Sequence, residues 1–366
     1  MSETHPFTGR TQFVALPQPV PLESGQVLPQ VTVAYRTWGR LNTRRDNAVL
    51  ICHALTGTPD AELWWRGLFG AGRAFDPARD FIVCSNVLGG CYGTTGPRSI
   101  DPVTGHAYGG NFPAVSVRDM VRVQHVLLQE LGVARLALVV GGSLGGMQVL
   151  EWAALYPDIV NAIAPIACGA YQSAWAIGFS EAQRQAICAD PNWQHGAYHP
   201  ARPPATGLAA ARMMAMLSYR HWGEYAQRFA RQRDGRHEFQ IVSYLRHQGD
   251  KLVRRFDAAS YVTLTRAMDT HDLARGRGTL QEALDAIEVP ALVVGIDSDL
   301  LYPLAEQQEL ATHLPYAELA VLHSQHGHDA FLIDTQELDV ALQGFRCSSR
   351  RAPPLSLHKE TVRCTP

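Results

Sequence analysis

The chain has 366 residues, 46% of them apolar and 18% charged, with a formal net charge of -2. That length and apolar content allow one large α/β core carrying an insertion, and the near-neutral balance makes no electrostatic case for nucleic acid or an anionic membrane as partner. The 7 cysteines are irregularly spaced and form no C-x-x-C pair, which fits reduced thiols in a cytoplasmic protein. Met1 to Gln12 lacks the basic-then-apolar layout of a signal peptide. No apolar run approaches the length needed to span a bilayer.

In chain order, Val31 to Trp38, Asn47 to Cys52 and Phe81 to Cys84 are short apolar runs between turn signals. Runs of this kind predict strands buried on both faces of a parallel sheet. Ser116 to Leu131 changes to a helical period and closes at Gly132. Leu136 to Val140 predicts a strand, Met147 to Leu155 a helix, and Asn161 to Ala167 a strand. This alternation predicts a doubly wound α/β sheet. From residue 169 to 286 helical patterns dominate, as in Ala209 to Leu217 and Tyr261 to Met268. Strand and helix then alternate again: Pro290 to Ile296, Pro303 to His313, Leu319 to His323, Thr335 to Phe345. The expected organisation is one core, 1–168 with 287–346, interrupted by a helical lid over 169–286. The basic segment 347–366 contains Pro353-Pro354 and no periodicity, so a disordered tail is expected.

Gly141 to Gly146 contains G-x-S-x-G, and its context gives it weight. It follows the aliphatic strand LALVV and opens a helix. A sharp strand-to-helix turn exposes the serine at the sheet edge, which predicts an α/β-hydrolase fold with Ser143 as nucleophile. A serine hydroxyl needs a base to take its proton, and this fold places serine, acid and histidine in that order along the chain. His328 lies in Gly327-His328-Asp329, and Asp297 and Asp299 both follow the strand ALVVGI. Asp299 is preferred because it lies closer to the following helix, whereas Asp297 fits a turn residue bonding its own backbone. His326 and His328 form a His-x-His pair, but no third ligand has a matching pattern, so no metal is expected. An oxyanion hole needs two donors. The N–H of Leu144 directly follows the nucleophile, and the loop His53-Ala54-Leu55-Thr56-Gly57 offers the N–H of Leu55. No Gly-rich segment reads as a phosphate loop.

Longer stretches carry a resemblance. They include HALTG at His53, NVLGGCYGTTGP at Asn86, GGSLGGMQVLEWA at Gly141, AARMMAMLSYR at Ala210, SDLLYP at Ser298 and GHDAFL at Gly327. Together they are spread across nearly all of the folded part, and the chain resembles the homoserine O-acyltransferases of the homoserine O-acetyltransferase type. The resemblance implies a ping-pong reaction in methionine biosynthesis: Ser143 takes an acyl group from acyl-CoA, with acetyl favoured, and the hydroxyl of L-homoserine removes it. It implies His328 as base and acid, Asp299 as its orienting acid, and Arg212 and Asp329 as acceptor-binding residues; Tyr219, about two helical turns beyond Arg212, is expected to line the same pocket. An amino acid carries a carboxylate and an ammonium, so one fixed cation and one fixed anion suit it, and the arginine fork matches a carboxylate. The resemblance also implies a homodimer contacting through the helical insertion, and no cofactor beyond acetyl-CoA as co-substrate. The short segment Thr58 to Leu63 departs from many family members, which carry a longer one beside the oxyanion loop. A succinyl donor, a serine acceptor and a serine esterase on the same three residues stand as the alternatives.

Overall fold

The computed structural model describes residues 10–349. The chain opens with short strands: β1 (Gln12–Ala15), β2 (Val20–Pro21), β3 (Val27–Leu28) and β4 (Thr32–Trp38). β5 (Ala48–Cys52), the one-turn helix α1 (Ala61–Trp64) and β6 (Phe81–Ser85) follow. Next come α2 (Val117–Glu130), β7 (Leu136–Gly142), α3 (Leu144–Leu155) and β8 (Ile163–Ile166). Six helices then run without a strand of the main sheet: α4 (Ala174–Cys188), α5 (Ala205–Tyr219), α6 (Trp222–Phe229), α7 (Gln240–Val253), α8 (Ala258–Asp269) and α9 (Leu280–Asp285). β9 (Ala291–Ile296), α10 (Leu304–His313), β10 (Ala317–Leu322), α11 (Ala330–Ile333) and α12 (Thr335–Ser349) complete the described chain.

Eight strands form one sheet in the order β1-β4-β6-β5-β7-β8-β9-β10. β6, β5, β7, β8, β9 and β10 run parallel. β5, β8 and β9 are buried at every position, as strands covered by helices on both faces must be. The expectation of a parallel strand at 31–38 is corrected: β4 is antiparallel to both β1 and β6. An apolar run reports burial on both faces, not direction, and β4 is as buried through its middle as the parallel strands. β1 and the β2–β3 hairpin were not predicted, because β1 is largely exposed and the hairpin strands are two residues each.

Local chemistry sets the helix ends. Ser116 caps α2 by accepting from the Asp119 N–H at 3.2 Å, while Asp119 accepts from the Ser116 N–H at 3.0 Å, a reciprocal box that satisfies two otherwise orphaned donors. α12 continues to Ser349, beyond the expected end at Phe345. Leu338, Leu342 and Phe345 form a buried stripe, and Arg346 in the next turn donates to both oxygens of Asp80 at 2.7 and 2.9 Å. The first residues of the expected tail, Cys347 to Ser349, are therefore helical, and 350–366 lies outside the described residues. Among the described residues no helix is long and apolar enough to cross a membrane.

A buried ion-pair knot binds the segment leaving α8 to the core. Arg118 on α2 donates to Glu151 on α3 at 3.0 Å and to the carbonyls of Asp272 and Arg275 at 3.1 and 2.7 Å. Arg277 reaches the other oxygen of Glu151 at 2.6 Å. Removing one partner of such a knot leaves the others charged and desolvated. Glu151→Ala is expected to lower the unfolding free energy by about 3–5 kcal/mol, checked by urea denaturation followed by circular dichroism.

Candidate active site

Ser143 is the single residue between β7 and α3. Its backbone sits at φ 59°, ψ -123°, a region that costs an L-residue on the order of 1–3 kcal/mol. The surroundings impose it. The Ser143 N–H donates to the carbonyl of Ile166 on β8 at 2.9 Å. Glycine is required beside it: a Cβ on Gly145 would lie 2.1 Å from the Cys52 carbonyl oxygen, and one on Gly142 would lie 2.5 Å from the Phe331 ring. α3 therefore begins at Leu144, three residues earlier than the periodicity of the sequence indicates.

Two backbone donors are left open near Ser143. The N–H groups of Leu144 and Leu55 find no acceptor among the described residues. Leu144 opens α3, where the helix dipole adds to its donor character. Leu55 lies on the loop after β5, and that loop is pinned from three sides. The His53 ring donates through Nδ1 to the Ala54 carbonyl at 2.8 Å and accepts at Nε2 from the Val87 N–H at 3.1 Å and from Asn86 at 2.9 Å. Burial pulls this imidazole down to about 4, against the Ala54 hydrogen bond, which raises it. It is a neutral staple between two loops, not a base. Gln148 on α3 donates to the carbonyls of Leu144 at 3.0 Å and His53 at 3.5 Å, and accepts from Gln124 at 2.7 Å. Gln124 in turn accepts from the Trp152 indole at 2.8 Å. Arg255, at the start of the turn between α7 and α8, donates to the Thr56 carbonyl at 2.9 Å and to the Tyr92 hydroxyl at 2.7 Å.

His328 and Asp299 meet as the sequence order requires. Asp299 accepts from His328 Nδ1 at 2.7 Å with one oxygen and from the N–H groups of Leu301 and Tyr302 at 2.8 and 3.0 Å with the other. Asp299 and His328 are 5% and 3% exposed, so this pair is shielded from competing water. The His328 ring packs against Tyr219, Tyr302 and Phe331 with centroids at 5.6, 5.3 and 5.5 Å. Phe331 is the same ring that presses on Gly142, and its carbonyl accepts from the Trp65 indole at 2.8 Å. Burial alone would depress the His328 imidazole, but the charge and hydrogen bond of Asp299, with the charge of Asp329, hold it above its ordinary value. The rivals sit elsewhere. Asp297 accepts from His323 and from the Ser324 N–H, and His326 pairs with Asp334 at 3.0 Å. Among the described residues no group of three or more His, Cys, Asp or Glu side chains is placed to hold a metal ion.

Arg212 and Asp329 flank this pair differently. Arg212 on α5 lies over the Tyr219 ring, 5.4 Å from its centroid, and its guanidinium has no hydrogen-bonding or ion-pair partner among the described residues. Asp329, next to His328, is already paired: Arg220 donates to it at 3.0 Å and to Glu224 at 3.1 Å. The roles of Arg220, Gln148, Arg255 and Tyr302 escape a motif reading. Arg220 closes the stretch AARMMAMLSYR, and Gln148 and Tyr302 lie in GGSLGGMQVLEWA and SDLLYP, so the sequence marks these positions, whereas Arg255 lies outside every such stretch and its role depends on contacts between distant segments.

Geometrically the site holds a strained serine, a buried histidine oriented by a carboxylate, two open amide donors and a free cation. That set can carry out acyl transfer through a covalent intermediate. A family model described as the alpha/beta hydrolase fold matches residues 47–335. The homoserine O-acetyltransferase of Trichormus variabilis is 60% identical over 340 residues, covering 93% of this chain and 94% of that one. The crystal structure of the homoserine O-acetyltransferase from Bacillus anthracis superimposes with a TM-score of 0.85 at 28% identity, covering 93% of this chain and 98% of that one. An acetylester hydrolase from Corynebacterium glutamicum gives a TM-score of 0.83 at 26% identity, covering 92% and 96%. With the fold model matched over residues 47–335 and a homoserine O-acetyltransferase 60% identical over 93% of its length, the chain belongs to the homoserine O-acetyltransferase family of the α/β-hydrolase fold.

Proposed function

We propose that this enzyme moves an acetyl group from acetyl-CoA to the side-chain hydroxyl of L-homoserine, by way of an acyl-Ser143 intermediate. The observation that carries the acceptor half is Arg212: a half-buried guanidinium without an ion-pair partner, stacked on a tyrosine that itself packs on His328. A cation left open beside the base is a receptacle for a carboxylate. Asp329 supplies the counter-charge for an ammonium, and Arg220 holds that carboxylate in place with its 3.0 Å hydrogen bond.

In the first half-reaction His328 takes the Ser143 hydroxyl proton as the oxygen attacks the thioester carbonyl. The N–H groups of Leu55 and Leu144 receive the developing oxyanion. The tetrahedral intermediate collapses, the C–S bond breaks, and His328 protonates the departing thiolate. In the second half the homoserine hydroxyl gives its proton to His328 and attacks the acyl-Ser143 carbonyl. Collapse expels the Ser143 oxygen, which recovers its proton from His328. O-acetyl-L-homoserine leaves, the intermediate expected in methionine biosynthesis. The same reading includes a cytoplasmic location and a homodimer joined through the helical insertion, where Leu217 and Trp222 stand exposed. Acetyl-ester hydrolysis is the second reading, favoured by the acetylester hydrolase among the structural neighbours. It differs only in letting water remove the acyl group.

Multiple-turnover thiol release should require both acetyl-CoA and L-homoserine, with serine and succinyl-CoA as poor replacements. Continued thiol release from acetyl-CoA without any amino acid, beyond the single burst that acylates Ser143, would instead make this a hydrolase. Arg212→Lys keeps the charge and loses the fork, so the homoserine KM should rise about tenfold or more, measured by steady-state kinetics at saturating acetyl-CoA.

The pH profile tests the base. His328 must be neutral to accept a proton, and its pKa is raised. The rate should therefore be full at high pH and fall as pH drops through a limb above the ordinary histidine value of about 6.5. Asp329→Asn removes one of the charges that raise it, so this limb should move to lower pH in kcat/KM for acetyl-CoA.

A further inference from the structure

A cavity of about 540 Å³ opens beside the loop that carries Leu55. Three arginines line it: Arg98 after β6, and Arg254 and Arg255 in the turn between α7 and α8. Arg255 is fixed by its bonds to Thr56 and Tyr92. The guanidinium groups of Arg98 and Arg254 have no hydrogen-bonding or ion-pair partner among the described residues. The one carboxylate in the lining, Asp257, is committed: it accepts from the Tyr198 hydroxyl at 2.6 Å and from the Ser260 N–H at 2.8 Å. The floor is the stretch NVLGGCYGTTGP, the most distinctive motif of the chain and one that no step at Ser143 uses. Its Cys91 and Gly93 amides lack backbone or side-chain acceptors among the described residues.

Three guanidinium groups against one carboxylate leave this concavity net positive, which favours a further anion. Arginine forks and open amides together match phosphate oxygens better than any other common anion. The position selects the ligand. Arg255 bonds Thr56, one residue from the Leu55 amide, so the cavity borders the loop that carries a donor for the acyl-accepting serine. A ligand that reaches both places carries an acyl group at one end and phosphates at the other.

We propose that this cavity holds the phosphate-bearing nucleotide end of the acyl-CoA donor, with Arg98 and Arg254 as its phosphate-binding residues. The proposal rests on the reading that the donor is an acyl-CoA. It assigns the donor a separate grip from the acceptor, which belongs to Arg212 and Asp329.

The test compares the full-length enzyme with the double variant Arg98→Gln/Arg254→Gln, after circular dichroism and thermal melting show both folded. Calorimetric titration with CoA and with adenosine 3′,5′-bisphosphate should show binding about tenfold or more weaker in the variant, the loss expected from two charge-assisted contacts. With homoserine as acceptor, the KM for acetyl-CoA should rise about tenfold, while that for the phosphate-free thioester S-acetyl-N-acetylcysteamine should change less than about twofold. Adenosine 3′,5′-bisphosphate should compete with acetyl-CoA. Unchanged binding in the variant, equal KM changes for both thioesters, or inhibition that does not compete with acetyl-CoA would each overturn the proposal. Failure of the underlying reading looks different: the unaltered enzyme would then release no thiol from acetyl-CoA with any acceptor, and the binding titration would still decide the cavity.

Discussion

The geometry of this site depends on one awkward backbone conformation. Ser143 is held at φ 59° where α3 seats so close to the end of β5 that a Cβ on Gly145 would lie 2.1 Å from the Cys52 carbonyl oxygen. A side chain in that turn would push the helix off the sheet. With the helix seated, the Leu144 amide faces open space beside the serine, and Gln148 one turn later reaches back to the His53 carbonyl. The strain at a single residue thus sets the nucleophile, one oxyanion donor and the anchor of the second donor's loop. A preorganised site of this kind needs little rearrangement as charge develops.

The helical segment between β8 and β9 is more than a cover. Arg255 pins the loop carrying Leu55, Tyr219 packs on the His328 ring, and Arg220 donates to the carboxylate adjacent to that histidine. Three parts of the machinery on the sheet therefore take their final position from residues of the insertion. The Arg118–Glu151–Arg277 knot keeps the exit of that insertion fixed on the helices behind the nucleophile.

Much of this was legible in the sequence, and the limits follow from what a sequence encodes locally. Continuous aliphatic runs marked β5, β7, β8 and β9 because burial on both faces leaves a compositional trace. The direction of β4 left none, since an antiparallel and a parallel strand of equal burial carry the same residues. Asp299 could be separated from Asp297 by its place before α10, and the contacts agree: Asp299 bonds His328 whereas Asp297 bonds His323. The open state of Arg212 and the pairing of Asp329 were not legible. Both depend on which guanidinium of α5 and its C-terminal cap reaches the loop after β10, a matter of three-dimensional register. The continuation of α12 past Phe345 leaves no local trace, because Arg346 pairs with Asp80, 266 positions away.

Gly327 illustrates a constraint that reaches beyond chemistry. A Cβ there would lie 2.8 Å from the His221 backbone nitrogen and 2.9 Å from the Tyr219 carbonyl, so the loop bearing the base and the end of α5 fit together like tongue and groove. The two stretches are inherited as separate text, with Arg220 and Asp329 109 positions apart, yet they form one mechanical part. A recombination crossover between them would splice the helices of one ancestor to the strands of another and mismatch the joint. Descent in this lineage should therefore preserve the pair as a unit, even where the surrounding helices drift.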